Sequence, residues 1–289
     1  MELGKSQFLD RFLITSHSSL QAGLTLRAES VSGKTVGQPA PRLHLLYHEL
    51  RQGESKYSYV LGKEAFDRQM EMFVRMRNEE NAGLWPEVTF DDGHNSDYEY
   101  ALPILQLRGM IARFFITVGW TGKRAGYMGW SELRSLHDAG QIIGAHGWSH
   151  TLLTHCGAEE LNKELRGARQ LLEDKLGGPI TTMSLPGGRS NRRVIAACRK
   201  AGYTQIFTSV PRAEQTTSPF LVGRLNIRGD MTLEWIRNLL EPGSGTIRKL
   251  ERQYAIKQAA KGLLGDWAYE KLWAVMNRKE PKSGEDYAG

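Results

Sequence analysis

Short strand-type runs alternate with amphipathic helical segments over most of this chain, and this alternation limits its fold more than any other feature. Repeated strand–helix units favour a parallel sheet flanked by helices, either as a layer or as a barrel. Polar clusters follow several of the predicted strands, where the active sites of parallel barrels are built. The predicted strands are residues 42–48, 88–90, 112–118, 141–145, 181–185 and 203–209, and the main helices are residues 63–78, 130–139, 158–176 and 232–240.

The two ends of the chain lack this alternation. Residues 1–40 are rich in Ser, Gly, Thr and Gln without a sustained period, which predicts an irregular lead-in. Residues 243–289 are basic, and we predict a helical extension over residues 247–278 followed by a solvated tail. We expect this extension to pack on the main domain, with a peripheral membrane contact as the alternative.

Composition excludes several classes of protein. Of 289 residues, 40% are hydrophobic and 24% charged, as in ordinary globular proteins. The net charge of +6 is spread along much of the chain, so nucleic-acid binding is not predicted. Two cysteines imply no disulfide framework. The charged first ten residues differ from a signal peptide, and no run approaches the roughly 20 apolar residues of a membrane span, which predicts a cytoplasmic location.

Two adjacent carboxylates end the run Trp85-Pro-Glu-Val-Thr-Phe-Asp-Asp-Gly93. Neighbouring side chains of a strand point to opposite faces. One aspartate can therefore hold a metal ion while the other handles protons.

A second cluster, His146-Gly-Trp-Ser-His150, separates two histidines by four positions. On a helical turn this spacing lets both rings reach one metal. With Asp92, they form a set of two imidazoles and one carboxylate, which suits zinc or another borderline divalent ion. Such an ion lowers the pKa of its water and polarises a carbonyl, as hydrolysis of an amide or ester requires.

The third cluster is the turn Leu185-Pro-Gly-Gly-Arg189. Gly187 and Gly188 allow a tight backbone whose N–H groups can face an oxyanion, and Arg189 can bind a carboxylate or a sugar. An ordinary strand-to-helix turn is the alternative interpretation.

Aromatic side chains follow the predicted strands near these clusters. They can stack on sugar rings or simply pack the mouth of a barrel. We favour Trp148 for stacking because it lies between the two histidines. The other candidates are Trp120, Tyr127 and Trp130.

The segments Thr89-Phe-Asp-Asp-Gly93, His146-Gly-Trp-Ser-His150 and Pro186-Gly-Gly188, in this order, resemble the polysaccharide deacetylases of carbohydrate esterase family four. Leu46-Tyr-His48 and Phe114-Phe-Ile116 also fit this family. The resemblance implies the distorted (β/α) barrel of that family, here over residues 41–242, and metal-dependent N-deacetylation of an acetylated amino sugar.

The resemblance also implies roles for individual residues. Asp91 and the backbone N–H of Gly187 are expected to act in catalysis, as base and oxyanion donor. The expected metal ligands are Asp92, His146 and His150, with zinc as the first choice of divalent ion. The expected substrate-binding residues are Trp148, Pro186, Gly188 and Arg189.

The chain departs from the family pattern at two points. Ser184 stands where the family often has an arginine that orients the base, and no histidine follows His155 to act as the late general acid. Asp91 can return its own proton to the amine; another arginine can replace the missing one; or the site can bind without efficient turnover. We favour the first two together, and the candidate arginines are Arg189, Arg224 and Arg228. Four other histidines are interpreted as ordinary polar residues: His48, His94, His137 and His155.

We therefore predict a metal-dependent hydrolase that removes N-acetyl groups from an amino sugar, in a polysaccharide or in a lipid-linked glycan precursor of exopolysaccharide biosynthesis. The expected partner is this N-acetylated glycan or lipid-linked sugar. Two other functions remain open. One is a ring amidase of the same barrel fold acting on a purine-degradation intermediate, and the other is a non-catalytic glycan-binding module.

Overall fold

The computed structural model of the protein describes residues 40–53, 57–77, 83–215 and 219–264. The predicted N-terminal lead-in, residue 40 apart, lies outside the described residues, as does the C-terminal extension after residue 264. No helix within the described ranges has both the length and the apolar character needed to cross a bilayer.

Parallel strands form one main sheet, as the alternating pattern predicted. Its order is β10-β1-β4-β5-β6-β7-β8-β9. A second, two-stranded parallel sheet contains β2 (Glu49–Arg51) and β3 (Val60–Gly62). The strands of the main sheet are β1 (Arg42–Tyr47), β4 (Trp85–Phe90), β5 (Arg113–Ile116), β6 (Ile142–Ala145), β7 (Thr182–Ser184), β8 (Gln205–Phe207), β9 (Leu221–Val222) and β10 (Arg224–Asn226).

A single extended segment closes this sheet into a barrel. β9 pairs with β8, whereas β10 pairs with β1 at the opposite edge, and one residue, Gly223, separates the two strands. The two edges are thus joined through one continuous piece of chain. This closure confirms the predicted (β/α) barrel.

Helices follow most of the strands. The predicted helix over residues 158–176 is interrupted by a π-helical turn at Lys163–Gly167, and a second π-helical turn spans Asp97–Ala101. The helices are α1 (Lys63–Arg77), α2 (Leu102–Leu107), α3 (Trp130–Asp138), α4 (Ala158–Asn162), α5 (Ala168–Leu176), α6 (Arg192–Lys200), α7 (Leu233–Leu240) and α8 (Thr246–Leu264).

Helix ends follow local sequence in some places and tertiary contacts in others. Asn191 caps α6 by accepting a hydrogen bond from the Val194 N–H at 3.0 Å, and Gly177 ends α5 with φ 76°, both as expected. Ser96 and Glu99 have the spacing of a capping box, but Ser96 makes no capping hydrogen bond. Its hydroxyl accepts a hydrogen bond from the Leu50 N–H at 3.0 Å instead, because β2 lies beside it.

The main hydrophobic core lies between the strands and the helices. Successive strand residues point to opposite faces, so every second residue of β1 and β4 enters this layer. The ring of Phe90 stacks on Phe114 with centroids 5.0 Å apart and on Tyr47 at 5.4 Å, and Phe66 of α1 packs edge-on against both Tyr47 and Phe90. This aromatic cluster anchors the strand that ends at the two aspartates.

The barrel interior has its own small apolar cluster. Phe115, Phe207 and Val222 are fully buried and form a cluster separate from the main core. The His44 ring meets Phe207 edge-on at 5.3 Å, and burial lowers the pKa of His44 to about 3, so the ring is neutral. The interior is therefore filled by side chains in layers, as in other parallel barrels.

Replacing Phe90 with Ala should destabilise the protein by about 3–5 kcal/mol, because it removes a fully buried ring from the aromatic cluster. Urea unfolding followed by fluorescence or circular dichroism measures this change. The control is Leu107→Ala, since that side chain is 77% exposed and its loss should change stability by less than about 0.5 kcal/mol. Equal losses in the two variants would contradict the packing assignment.

Candidate metal centre and active site

Asp92, His146 and His150 meet at the carboxyl end of the barrel strands. Asp92 follows β4, and the two histidines follow β6. The Asp92 Oδ1 lies 3.3 Å from the Nε2 atoms of both His146 and His150. One donor atom from each of the three residues lies within 4.8 Å of the others, which is compact enough for one metal ion. The residues predicted as ligands are therefore brought together.

The backbone of this centre is strained. Among the described residues, Asp92 and His150 are the two non-glycine residues with positive φ, 77° and 65°. Such conformations cost about 1–3 kcal/mol and are concentrated at functional sites. Residues 146–150 form an irregular loop, not a helical turn, and Gly147 in this loop also has positive φ, 81°. The rings converge because of these left-handed residues.

Glu164 holds the loop that carries both histidines. Its carboxylate accepts hydrogen bonds from the Trp148 N–H at 2.7 Å, the Ser149 N–H at 3.1 Å and the Ser149 hydroxyl at 2.6 Å. Glu164 is buried and lies in the π-helical turn between α4 and α5. The sequence analysis did not select Glu164. The signal for it was a charged residue three positions after Leu161, on the apolar face of the predicted helix.

Further contacts fix the two imidazoles for metal binding. The Nδ1 of His146 lies 2.9 Å from the Ser184 carbonyl oxygen, so it carries a proton and leaves the Nε2 lone pair facing Asp92. Burial lowers the pKa of His150 to about 4, with His146 adding to the effect, so the His150 ring is neutral.

The donor set fits a divalent metal ion. The Oδ1 of Asp92 is buried and has no hydrogen-bond partner among the residues that the structure describes. A buried, unsatisfied carboxylate oxygen is costly unless a cation compensates it. Together with two imidazole nitrogens, it forms the mixed nitrogen and oxygen set that zinc accepts in catalytic sites.

Asp91 is held on the other side by Arg224. The guanidinium donates two hydrogen bonds to the carboxylate, Nη1 to Oδ1 at 2.7 Å and Nη2 to Oδ2 at 2.8 Å, and Ser184 Oγ donates to Oδ2 at 2.9 Å. Burial alone would raise the pKa of Asp91, but Arg224 outweighs burial and holds the pKa well below its usual value. Asp91 is therefore ionised, as a base must be.

Of the three candidate arginines, Arg224 is the one that contacts Asp91. It is almost fully buried, so the alternative that it is solvated at the surface is wrong. Arg228 instead pairs with Asp230 at 3.1 Å. Arg189 is half-buried at the end of the Pro186–Gly188 turn.

His48 also lies near this centre, although the sequence analysis interpreted it as an ordinary polar residue. It directly follows β1 and is half-buried, with its ring edge-on to Tyr59 at 5.3 Å. Burial lowers the pKa of His48, and the carboxylates of Asp92 and Asp91 act in the opposite direction, so both lie within electrostatic range. Its Nδ1 has no hydrogen-bond partner in the described parts of the chain.

The predicted substrate-binding residues surround the same loop. Gly187 and Gly188 both have positive φ, 62° and 65°, and the Gly188 N–H donates to the Leu185 carbonyl at 2.8 Å. Pro186 is buried next to Gly147. These contacts test none of the predicted substrate roles.

The aromatic residues occupy two different places. Trp148 is half-buried, and the Lys163 ammonium lies 5.3 Å above its ring. Trp120 lies beside the metal centre, with its ring 5.2 Å from His150 and 4.7 Å from Tyr127. Trp120 is thus the aromatic residue in contact with a predicted ligand.

Comparison with known proteins identifies the domain that carries this centre. The sequence model of the family "Polysaccharide deacetylase" matches residues 87–206, which contain both aspartates, both histidines and the Pro186–Gly188 turn. YxkH of Bacillus subtilis strain 168, named as a polysaccharide deacetylase, is 27% identical over 126 residues, or 44% of this chain and 45% of YxkH. Chitin deacetylase 1 of Cryptococcus neoformans is 26% identical over 142 residues, or 49% of this chain and 29% of that protein.

This chain thus spans less than half the length of these curated relatives. Among solved structures, the deacetylase PplD of Streptococcus pyogenes, determined in complex with acetate, superposes with a TM-score of 0.61 at 18% identity. The superposition covers 71% of this chain and all of PplD, which shows a shared barrel fold. The segment at residues 87–206 is thus similar to polysaccharide deacetylases in sequence, and the barrel around it has their fold.

Proposed function

We propose that this protein is a metal-dependent hydrolase that removes N-acetyl groups from an amino sugar in a polysaccharide or a lipid-linked glycan precursor. The observation that carries the proposal is the pairing of an ionised, Arg224-bound Asp91 with the adjacent cluster of Asp92, His146 and His150. Chitin deacetylase 1 and PplD, which are similar to this chain, are both named for deacetylation.

A divalent ion on Asp92, His146 and His150, with zinc as the first choice, supplies a Lewis acid and lowers the pKa of water. Asp91 takes a proton from the attacking water, and its fixed hydrogen bonds to Arg224 hold the carboxylate in place for this transfer. The backbone N–H of Gly187 donates to the acetamide oxygen as negative charge develops. The amide C–N bond then breaks, and the sugar amine leaves with an added proton.

We propose His48 as the source of that proton. Both oxygens of Asp91 accept hydrogen bonds from Arg224, which stabilises the ionised form and opposes return of its proton. His48 follows Tyr47, which lies opposite Phe90 in the β1–β4 pair and accepts a hydrogen bond from the Asp91 N–H at 3.1 Å, and the His48 Nδ1 has no hydrogen bond to any described residue. This assignment replaces the dual role of Asp91 that we favoured from the sequence.

The proposal also names the substrate and the residues expected near it. The proposed partner is an N-acetylated glycan or lipid-linked sugar, with Trp148, Pro186, Gly188 and Arg189 near the bound sugar. A cytoplasmic location and a peripheral membrane contact through the C-terminal region stay predictions.

The Asp91→Asn variant should lose acetate release about 100-fold to 10,000-fold, because the amide cannot accept the proton. It should retain stoichiometric zinc, whereas His146→Ala should lose both zinc and activity because a ligand is missing. Acetate is measured over a panel of N-acetylated glycans, and zinc by elemental analysis.

The control for this test is Asp138→Asn, an equivalent change at a side chain that is 68% exposed. It should keep both zinc and turnover. Zinc-loaded wild-type protein that releases no acetate from any glycan on the panel would contradict the proposed function.

Arg224→Lys should lower kcat at least about tenfold with little change in KM, because one ammonium cannot reproduce the two parallel hydrogen bonds to Asp91. The variant keeps a positive charge beside the buried carboxylate, and thermal melting checks that it folds. Arg237→Lys, a similar change at an exposed position of α7, is the matched control. Full activity of Arg224→Lys would show that the bidentate geometry is unimportant.

His48→Asn should lower kcat about 100-fold while zinc content stays unchanged, because a proton donor is lost and the metal ligands remain. His137→Asn provides the control, since His137 is 40% exposed and lies on α3. A loss below tenfold in His48→Asn would return the role of proton donor to Asp91.

A further inference from the structure

We infer that a cavity between β10, α7 and α8 binds the sugar units next to the one that is deacetylated. This α7–α8 cavity has a volume of about 650 Å³, within the usual range of about 300–1,000 Å³ for ligand sites. Its lining includes Tyr59, Asn226, Arg228, Trp235, Tyr254 and Lys257. The inference rests on the proposed deacetylase function and specifies a substrate of several linked sugar units.

The lining has the chemistry of a site for a neutral, hydroxyl-rich ligand. Tyr59, Trp235 and Tyr254 are half-buried or exposed, so each offers part of an aromatic face, and each carries a polar group for hydrogen bonds. The Asn226 carboxamide supplies both a donor and an acceptor. Sugar rings present apolar C–H faces and hydroxyl edges, which match this mixture.

Charge in the α7–α8 cavity is largely balanced. Arg228 pairs with Asp230 at 3.1 Å, and Arg224, which also lines the cavity, is held by Asp91. Lys257 adds one positive charge at an exposed position. Sites for polyanions collect several unpaired cations, so this lining favours a neutral glycan.

The cavity lies next to the candidate active site and shares the wall residue Arg224 with it. Tyr59 lies in the cavity wall, and its ring contacts His48 at 5.3 Å. Ser209, another lining residue, packs against Gly188 so closely that a side chain on Gly188 would overlap it. Arg224 joins the two regions directly, because it lines the cavity and binds Asp91. A chain of sugars entering the active site can therefore extend into the cavity.

The residues named for this cavity come from outside the matched family domain. That domain covers residues 87–206, whereas the lining residues come from the segment before it and from residues 209–257. The cavity is thus built by the parts of the chain that the family match does not describe. Substrate length and identity are decided there, while the metal ligands remain within the matched domain.

The test compares two acetylated substrates on zinc-loaded protein, N-acetylglucosamine and its β-1,4-linked tetramer. In wild type, kcat/KM for acetate release should be at least about tenfold higher for the tetramer than for the single sugar, since stacking on one aromatic side chain is worth about that factor. Trp235→Leu and Tyr254→Ala should each raise KM for the tetramer and so bring this ratio close to one. Zinc content should stay unchanged in both variants. Two variants are used because Trp235 also packs on the core.

Tyr98→Ala, an aromatic change at an exposed position outside the cavity, should keep the wild-type ratio. A wild-type ratio near one, or a full ratio in both cavity variants, would overturn the inference while leaving the deacetylase function intact. If wild type releases no acetate from either sugar, the glycan panel decides the proposed function, and calorimetric binding of the tetramer tests the cavity alone. No tetramer binding, or equal binding by wild type and both cavity variants, overturns the inference in that case.

Discussion

The bidentate ion pair between Asp91 and Arg224 links the architecture of this barrel to its chemistry. Arg224 lies on β10, which pairs with β1 and so closes the barrel, and Asp91 directly follows β4 on the other side of β1. Both side chains are buried, and removing one partner from such a pair typically costs about 3–5 kcal/mol because a buried charge is left alone. Barrel closure and the ionisation of the base are therefore one event. An open sheet would leave Asp91 without its cation.

Hydrogen bonds with Ser184, at the end of β7, and with Glu164 hold the residues of the candidate metal centre in place. Ser184 contacts both halves of the active site, since its hydroxyl donates to Asp91 and its carbonyl oxygen faces His146 Nδ1. Glu164 fixes the histidine loop through three hydrogen bonds while His150 keeps a strained backbone. The strain is offset by contacts outside the ligand set, which prepares the rings before an ion arrives. The centre is thus preorganised by its supporting residues.

The family match and the tertiary structure describe different parts of the active site. Residues 87–206 carry the metal ligands and Asp91, but His48 and Arg224 lie outside this range. The α7–α8 cavity is also built from segments outside it. The candidate metal ligands and Asp91 therefore lie in the matched segment, whereas Arg224, His48 and the walls of the α7–α8 cavity come from the flanking segments. Differences between this protein and its relatives are expected in those flanks.

The sequence by itself determined the strand–helix alternation and pointed to Asp92, His146 and His150 as candidate metal ligands, because both depend on periodicity and spacing along the chain. It left three arginines as partners for Asp91, and the family resemblance of Leu46-Tyr-His48 did not assign a role to His48. Only the tertiary structure decided for Arg224, which is 133 positions from Asp91 in the chain. Barrel closure brings such distant residues together, and no local pattern records which side chain will meet a carboxylate across the barrel. The conformation of the histidine loop was likewise decided by tertiary contacts, since Glu164 holds it through hydrogen bonds from residues 148 and 149.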